Sequence, residues 1–412
     1  MTIAPMASPS RIEVSVRAVM RAAERQSSTA DSAIAKPLRI CHFTTAHCEI
    51  KSRSLHREFL PLAAAGFEIR YVSPARIRGV REGVEFVPIA KLSRRWQRVM
   101  AAPSLLLTLL RQQADVYHFQ DPELLPVALT LKAIFRRRVI YDAYEDFPSM
   151  ALQSSLAAPP LRRWLSRIVA AAESVAAQIL DGVMTADPLT MRRMARTGSS
   201  RKLVFYNFPN LEFFPAPQSG AKKYDIVYRG GISERAGTYV LLDAMRQMAR
   251  GRRAPRLLLI GYFDSPAEED RLRVEIATRG LDEYVELRGR MPHEEMAAAL
   301  REARIGVSPL QATEKFMLNI PVKLFEYWAC GLPVIASDLP SIHPFMRNTD
   351  ASILFPPGDA SALACALSWM LDHPREAARM GQTGRAAVVE RFNNYRESAR
   401  FRDFLLRIAR RP

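Results

Sequence analysis

The chain has 412 residues, of which 48% are hydrophobic and 25% are charged, and its formal net charge is +17 at pH 7. This size and composition predict a soluble globular protein with more than one hydrophobic core, and the basic excess requires an anionic partner or surface. The longest apolar run, residues 99–110, is interrupted by Pro103 and is far shorter than the ~20 residues of a membrane-spanning helix.

The amino-terminal segment and the cysteines favour a cytoplasmic protein. Residues 1–36 lack the apolar core of a signal peptide and predict a mobile or partly helical tail. The cysteines show neither metal-ligand spacing nor a disulfide framework, and the histidines are scattered along the chain. These patterns predict a reducing compartment and no metal centre.

Apolar strand-length runs alternate with helix-length segments through the first half of the chain. The pattern predicts strands at 38–43, 67–74, 84–89, 115–119, 138–144, 182–186 and 202–208, and helices at 54–66, 94–113, 128–135 and 159–180. Such alternation is typical of right-handed βαβ units and a mostly parallel sheet. We therefore predict a Rossmann-like domain over 37–207.

A segment rich in proline and small or polar residues, 208–224, predicts a linker, after which the pattern restarts. Strands are predicted at 224–231, 256–261, 285–289, 305–310 and 332–338, a helix at 238–249, and a basic amphipathic helix at 393–411. The predicted fold class is α/β, with a second doubly wound domain over 225–392. Ligands of such folds bind at the carboxyl ends of the strands, so a site is expected in the cleft between the domains.

The stretch "PVKLFEYWACGLPVIASD" (321–338) predicts a short helix followed by a buried strand. Amides at the start of this helix and the ammonium of Lys323 are suited to hold a diphosphate. Glu326 lies one turn further along the same face and could accept both hydroxyls of a ribose. The alternative is an exposed Lys323–Glu326 pair that contributes only a few tenths of a kcal/mol.

The stretch "VYRGGISERAG" (227–237) predicts a strand, a glycine turn and a helix start. Gly230 and Gly231 would let backbone amides approach a phosphate closely, and Arg235 adds a positive charge before the helix. An ordinary chain reversal explains the same glycines equally well.

Two segments, "RRWQRVM" (94–100) and "LRRWLSRIV" (161–169), combine arginines with a tryptophan in an amphipathic pattern. This combination suits an interfacial helix on an anionic membrane surface. The alternative is that each tryptophan packs in the core while the arginines face solvent. Nucleic acid is the least favoured partner, because no zinc-finger spacing or aromatic RNA-binding signature is present.

The stretch "PVKLFEYWACGLPVIASD" resembles the nucleotide-sugar motif of the retaining GT-B glycosyltransferases known as family four. The segments "DVYHFQDPELLP" (115–126), "VIYDAYEDFP" (139–148), "YNFPN" (206–210), "YRGGISERAG" (228–237) and "ILFPPGDASALACAL" (353–367) resemble that family's landmarks, in its order. The resemblance covers about residues 38–395. It implies two Rossmann-like domains facing each other across a cleft, and a last helix (393–412) that packs back toward the first domain.

The resemblance also implies roles for individual residues. The donor, a nucleotide-diphosphate sugar, would be bound by Gly230, Gly231, Arg235, Lys323 and Glu326.

In the first domain the resemblance implies catalytic roles for His118, Asp121 and Glu145, with Glu123 and Tyr144 on the acceptor side. The expected acceptor is a glycan or polyprenyl-linked chain in surface polysaccharide synthesis, at the inner face of the membrane. Because the leaving diphosphate is thought to help deprotonate the acceptor, the implied mechanism needs neither a metal nor a cofactor.

Several positions depart from the family's pattern. Leu318 stands where most members have a second glutamate, Gln120 and Tyr144 replace histidines, and Ala236 precedes Gly237 where a basic residue is usual. The stretch "TTAHCEIKSR" (44–53) replaces the common glycine pair. These departures keep open a catalytically degenerate binding subunit of a glycan-assembly complex; a nucleotide-sugar epimerase is disfavoured.

Overall fold

The structure of the chain is a computed structural model. It describes residues 37–45, 53–91, 97, 100–153, 158–194, 201–216, 220–250, 254–263 and 265–410. The predicted tail at 1–36 and most of the segment 94–100 lie outside the described residues. The described chain forms two compact units, the first from residues 37–207 with 395–410 and the second from residues 208–394.

The first unit is built on an eight-stranded sheet. Its strands are β1 (Arg39–Phe43), β2 (Glu68–Ser73), β3 (Gly79–Arg81), β4 (Val84–Pro88), β5 (Val116–Phe119), β6 (Arg138–Ala143), β7 (Gly182–Thr185) and β8 (Lys202–Val204). They lie in the order β3-β4-β2-β1-β5-β6-β7-β8. All neighbours pair in parallel except β3 and β4. The sequence pattern missed β3, whose three residues are exposed and so carry no apolar alternation.

Helices connect the strands of this sheet. A π-helix, Arg53–Phe59, leads into α1 (Leu60–Ala64), and the others are α2 (Ala102–Arg111), α3 (Leu125–Ala133), α4 (Phe147–Gln153), α5 (Pro159–Ile179) and α6 (Pro188–Met194). The long helix α5 agrees with the predicted span to within a residue. The short helices α4 and α6 were not predicted, because seven residues hold too few turns to show a helical period.

The second unit contains a six-stranded sheet in which every neighbouring pair is parallel. Its strands are β9 (Tyr224–Gly231), β10 (Leu257–Tyr262), β11 (Val285–Arg288), β12 (Ala303–Ser308), β13 (Val334–Ser337) and β14 (Ser352–Phe355), in the order β11-β10-β9-β12-β13-β14. The helices are α7 (Thr238–Ala249), α8 (Pro266–Thr278), α9 (His293–Arg301), α10 (Glu314–Leu318), α11 (Val322–Ala329), α12 (His343–Met346), α13 (Ala360–Asp372) and α14 (Pro374–Glu390).

Part of the segment interpreted as a linker belongs to the core of the second unit. Phe208 is buried and packs edge-on against Phe325 and Phe345, with ring centroids 4.7 and 5.9 Å apart, and Leu211 and Phe214 are also buried. Proline-rich composition predicted a linker here, but not that its aromatic residues fill a hydrophobic core.

The helix α15 (Asn394–Ala409) belongs to the first unit, although residues 208–394 separate it from the rest of that unit in sequence. Its apolar face, formed by Phe401, Phe404, Leu405 and Ile408, is fully buried in one core cluster with Ile40 of β1.

The architecture confirms the predicted class of two Rossmann-like α/β domains. Within the described ranges, none of the helices unites the length and apolarity needed to traverse a bilayer.

Candidate functional site

A cavity of about 220 Å³ lies in the second unit at the carboxyl ends of its strands, where ligands of this sheet type bind. It is formed where β9 ends in its glycine turn and where the loops before α7 and α11 come together. Its lining residues are Tyr228, Gly230, Gly231, Ile232, Ser233, Arg235, Ala236, Tyr262, Leu310, Lys315, Phe316, Asn319, Pro321 and Lys323. Four of the five predicted donor-binding residues therefore share one cavity.

The glycine turn is shaped by the close approach of a lysine. Gly230 has a φ of +140°, and a Cβ at this position would lie 3.1 Å from the Nζ atom of Lys323. Glycine thus satisfies both the backbone conformation and the space requirement. Gly237 precedes α7 with a φ of +76°, and a Cβ there would overlap the carbonyl oxygen of Pro309.

Lys323 extends from the first turn of α11 into the cavity. Its ammonium lies 4.2 Å from the centroid of the Tyr228 ring, a cation–π contact. Burial, with a smaller contribution from Arg229, lowers the pKa of Lys323 to about 7, although Glu326 acts in the opposite direction. Near neutral pH this lysine can therefore become fully charged when an anion binds beside it.

Glu326 lies behind the cavity rather than on its wall. Its side chain is buried, and the guanidinium of Arg229 lies 2.7 Å from its Oε2 atom. The alternative interpretation, in which Lys323 and Glu326 form an exposed surface pair, is therefore wrong. The backbone N–H of Arg229 donates to the hydroxyl of Tyr327 at 2.8 Å, which fixes the strand against α11.

Sequence reasoning missed three residues at this site: Arg229, Tyr262 and Lys315. Arg229 immediately precedes the glycine turn, and this position could have identified it as a site residue from the sequence. Lys315 lies one turn before Leu318 in α10 and brings a third cation to the lining, beside Arg235 and Lys323. Tyr262 ends β10 and is shared with a neighbouring cavity.

That neighbouring cavity has a volume of about 470 Å³ and adjoins the first one through Ile232 and Tyr262. The guanidinium of Arg290 lies 4.3 Å from the centroid of the Tyr262 ring. An aromatic ring covered by a planar cation offers a stacking surface for another flat group.

In the first unit, the predicted acceptor-side residues follow β5 and β6. Asp121 accepts hydrogen bonds from the hydroxyl of Thr44 at 2.5 Å and from the backbone N–H of Thr45 at 3.2 Å. The Thr45 hydroxyl also donates to Glu123 at 3.5 Å. The first βα loop, which lacks the glycine pair, thus holds Asp121 through two threonines.

Tyr144 and Glu145 follow β6 and are partly exposed. The ring of Tyr144 packs edge-on against Phe147, with centroids 5.5 Å apart. Burial raises the pKa of its hydroxyl, so Tyr144 is neutral at physiological pH and can donate a hydrogen bond but cannot act as a base.

His118 is fully buried, so in this conformation its ring is not accessible to an acceptor. Its Nδ1 atom lies 2.9 Å from the Nδ1 atom of His42, and its ring packs edge-on against Phe59. Burial lowers its pKa to about 4, so the imidazole is neutral. In this conformation His118 is a core residue, and only Asp121 and Glu145 of the predicted catalytic group lie at strand ends.

A buried network of charges surrounds this histidine. Arg53 forms ion pairs with Glu58 at 2.9 Å and with Asp142 at 3.0 Å, and the amide of Gln120 donates to Asp142 at 2.8 Å. Burial and the nearby Asp142 raise the pKa of Glu58. Ligand atoms of Glu58, His118 and Asp142 lie within 4.8 Å of one another, but Arg53 already supplies the cation for the two carboxylates.

The family described as glycosyl transferases group 1 matches residues 223–373, which hold the cavity and all its lining residues. This segment is therefore similar to the group 1 glycosyltransferases. In sequence, the chain is similar to the amylovoran biosynthesis glycosyltransferase AmsK of Erwinia amylovora, with 27% identity over 299 residues, covering 72% of this chain and 64% of that protein.

A second relative is the phosphatidyl-myo-inositol mannosyltransferase of Mycobacterium leprae, 32% identical over 40% of this chain and 41% of that protein. The chain thus spans less than two thirds of the length of both relatives.

Solved structures resemble the chain over most of its length. Sucrose-phosphate synthase from Thermosynechococcus elongatus matches with a TM-score of 0.72 and 19% identity, over 90% of this chain and 99% of that one. HepE of Anabaena in complex with UDP-glucose matches with a TM-score of 0.68 and 14% identity, over 90% of this chain and 99% of that one. At these identities the likeness is one of fold, and it confirms the predicted GT-B fold.

Proposed function

We propose that the chain is a retaining glycosyltransferase. It would move a sugar from a nucleotide-diphosphate sugar to a glycan or lipid-linked acceptor in surface polysaccharide synthesis. The observation that carries this proposal is the cavity in which Lys323 approaches the glycine turn of β9, with Arg235 and Lys315 on the same lining. Among the residues that the structure describes, none of those lining this cavity is acidic.

The charges of this cavity suit a diphosphate. Three cations face the space, and the backbone amides of the glycine turn and of the start of α11 add partial positive charge. As the bond from the sugar to the diphosphate breaks, negative charge grows on the leaving oxygen. Cations already held in position stabilise that charge without reorganisation, so the proposed reaction needs no metal ion or other cofactor.

The neighbouring cavity suits the nucleobase. A base that stacks on Tyr262 would stay within reach of the diphosphate position, because Tyr262 lines both cavities. In this arrangement the ribose lies near Glu326, and Arg229 must share or release that carboxylate when the ribose hydroxyls bind. The complexes of HepE with UDP and with UDP-glucose support a uridine nucleotide as the first donor to test.

The acceptor would be oriented by the first unit. Asp121, Glu123 and Glu145 follow strand ends and could accept hydrogen bonds from sugar hydroxyls. Relatives named for amylovoran and colanic acid biosynthesis support a polysaccharide acceptor, and a mannosyltransferase named for phosphatidyl-myo-inositol supports a lipid-linked one. A lipid-linked acceptor would keep the protein peripheral at the cytoplasmic face of the membrane.

A thermal-shift titration tests donor binding, because a ligand that binds only the native state raises its melting temperature. UDP or UDP-glucose is expected to stabilise the wild type, and Lys323→Ala and Glu326→Ala to weaken that effect. Two controls are Lys222→Ala, an exposed lysine outside the cavity, and Glu173→Ala, a buried glutamate of the first unit. Absence of stabilisation by any nucleotide diphosphate or nucleotide sugar would refute the proposal.

The second candidate is a binding subunit without catalytic activity, favoured by Gln120 and by the buried His118. Purified protein incubated with a radiolabelled nucleotide sugar separates the two candidates. Release or transfer of the sugar, abolished in Glu326→Ala, would exclude the binding subunit, whereas donor binding without turnover under any acceptor condition would favour it.

A further inference from the structure

The helix α5 carries an exposed apolar stripe. Five of its large apolar side chains are exposed in the folded chain, and they are Leu161, Trp164, Ile168, Val175 and Ile179. At 3.6 residues per turn, all five fall within an arc of about 60° and extend over about 27 Å of helix. Scattered apolar side chains on a surface are ordinary, but a continuous stripe of this length marks an interaction site.

Trp164 is the residue of this stripe that most favours a lipid–water interface. Its side chain is 61% exposed, so the alternative that this tryptophan packs in the core is wrong. Fully solvated tryptophan is unfavourable, whereas an indole ring at the boundary between lipid headgroups and acyl chains has both an apolar and a polar environment.

The charge around the stripe has one sign. Arg163 and Arg167 are exposed beside it, and the only acidic residue of α5, Glu173, is buried and bonded to Arg193 and Tyr141. The exposed part of the helix therefore presents two positive charges and no negative charge of its own.

The surface continues beyond the helix. Lys132 of α3 forms an ion pair with Asp181 at 2.6 Å, which holds the end of α3 close to the end of α5. The turn that follows α3 exposes Ile134, which is 70% accessible, together with Phe135 and Arg136. A second combination of apolar and basic side chains thus lies near the carboxyl end of the stripe.

We propose that α5 and the turn 134–136 dock on an anionic membrane surface, with the stripe buried at headgroup depth and the arginines paired with lipid phosphates. Apolar insertion and electrostatic attraction act together in such interfacial helices, and the net charge of +17 favours an anionic bilayer over a neutral one. The biological role of this docking rests on the proposed function, since docking would bring the enzyme to a lipid-linked acceptor.

Vesicle flotation of the full chain tests the inference. The wild type is expected to float with mixed phosphatidylglycerol–phosphatidylcholine vesicles at low salt, and much less with phosphatidylcholine alone or at high salt. Trp164→Ser/Ile168→Ser should lower the partition coefficient by about tenfold or more. The matched control Val80→Ser/Val274→Ser, which removes two equally exposed valines from other surfaces, should leave it unchanged.

A second pair of variants tests the charges. Each arginine near an anionic surface contributes about fivefold in partition coefficient, so Arg163→Gln/Arg167→Gln should lower it by about 25-fold. The exposed pair Arg375→Gln/Arg391→Gln, located in the second unit, is the control for net charge alone. All variants alter exposed side chains, and unchanged melting temperatures would exclude misfolding.

Failure of the wild type to float with anionic vesicles, or equal flotation of wild type and stripe variants, would overturn the inference. Light scattering adds a further test: a wild-type dimer that Trp164→Ser/Ile168→Ser dissociates would assign the stripe to a second copy of the chain and also overturn it. Stabilisation by UDP in the absence of vesicles is measured separately, so loss of membrane binding leaves the proposed donor site untouched.

Discussion

The position of Lys323 predicts a specific pH dependence of donor binding. In the empty cavity its pKa is about 7, because burial disfavours the ammonium. A bound diphosphate places negative charge against the same ammonium and raises its pKa again. The diphosphate of a nucleotide sugar has no group of its own that titrates near neutrality, so the lysine dominates the pH response.

The coupling between protonation of Lys323 and donor binding determines how the affinity changes with pH. Below pH 7 the lysine is already protonated and the affinity is independent of pH. Above pH 7 binding must take up a proton, so the affinity falls by about tenfold per pH unit until the pKa of the complex is reached. At pH 8 about nine in ten free sites hold neutral lysine, and binding should take up about 0.9 proton per site.

Isothermal titration of UDP-glucose, in buffers of different ionisation enthalpy, measures both the affinity and the proton uptake. In Lys323→Met the affinity should be lower and the pH slope absent. In Lys315→Met, which removes a more exposed lysine of the same lining, the affinity should also be lower, but the pH slope should be retained. Wild-type affinity that stays constant from about pH 6 to about pH 9 would refute the reasoning.

Two further predictions concern stability, measured by urea unfolding. Gly237→Ala should cost about 2 kcal/mol or more, because the backbone is left-handed and the new Cβ would overlap the carbonyl oxygen of Pro309; unchanged stability would contradict that geometry. Arg53→Leu should cost about 3–5 kcal/mol at neutral pH, because Asp142 and Glu58 would remain buried without their cation. Acid pH should reduce the second loss, because burial already raises the pKa of Glu58 and its protonation removes a buried charge; an equal loss at all pH values would exclude this cause.

Sequence reasoning succeeded where a pattern repeats over enough residues. The buried strands of both sheets and the long helix α5 show clear apolar periods, and their predicted spans agree closely with the structure. The strands β3 and β14 were missed. Both are short strands at the edge of a sheet: β3 (GVR) lacks an apolar run, and the apolar run of β14 (SILF) is only three residues long.

The site was predictable where function depends on local backbone geometry. The glycine turn and Lys323 lie next to each other because adjacent parallel strands end at the same edge of a sheet. The pairing of Glu326 with Arg229 was not predictable, since it joins two elements that are distant in sequence. The burial of His118 depends on Phe59 and Phe401, which come from elements on either side of it in sequence.

The helix α15 also constrains how this chain can fold during synthesis. Its four buried apolar residues complete a hydrophobic cluster begun by Ile40, yet the ribosome makes them only after all of residues 208–394. Until then the sheet of the first unit exposes an apolar face to the surrounding solution. The second unit, whose residues are contiguous, can finish folding earlier, so the half of the molecule that is translated first is the half that matures last.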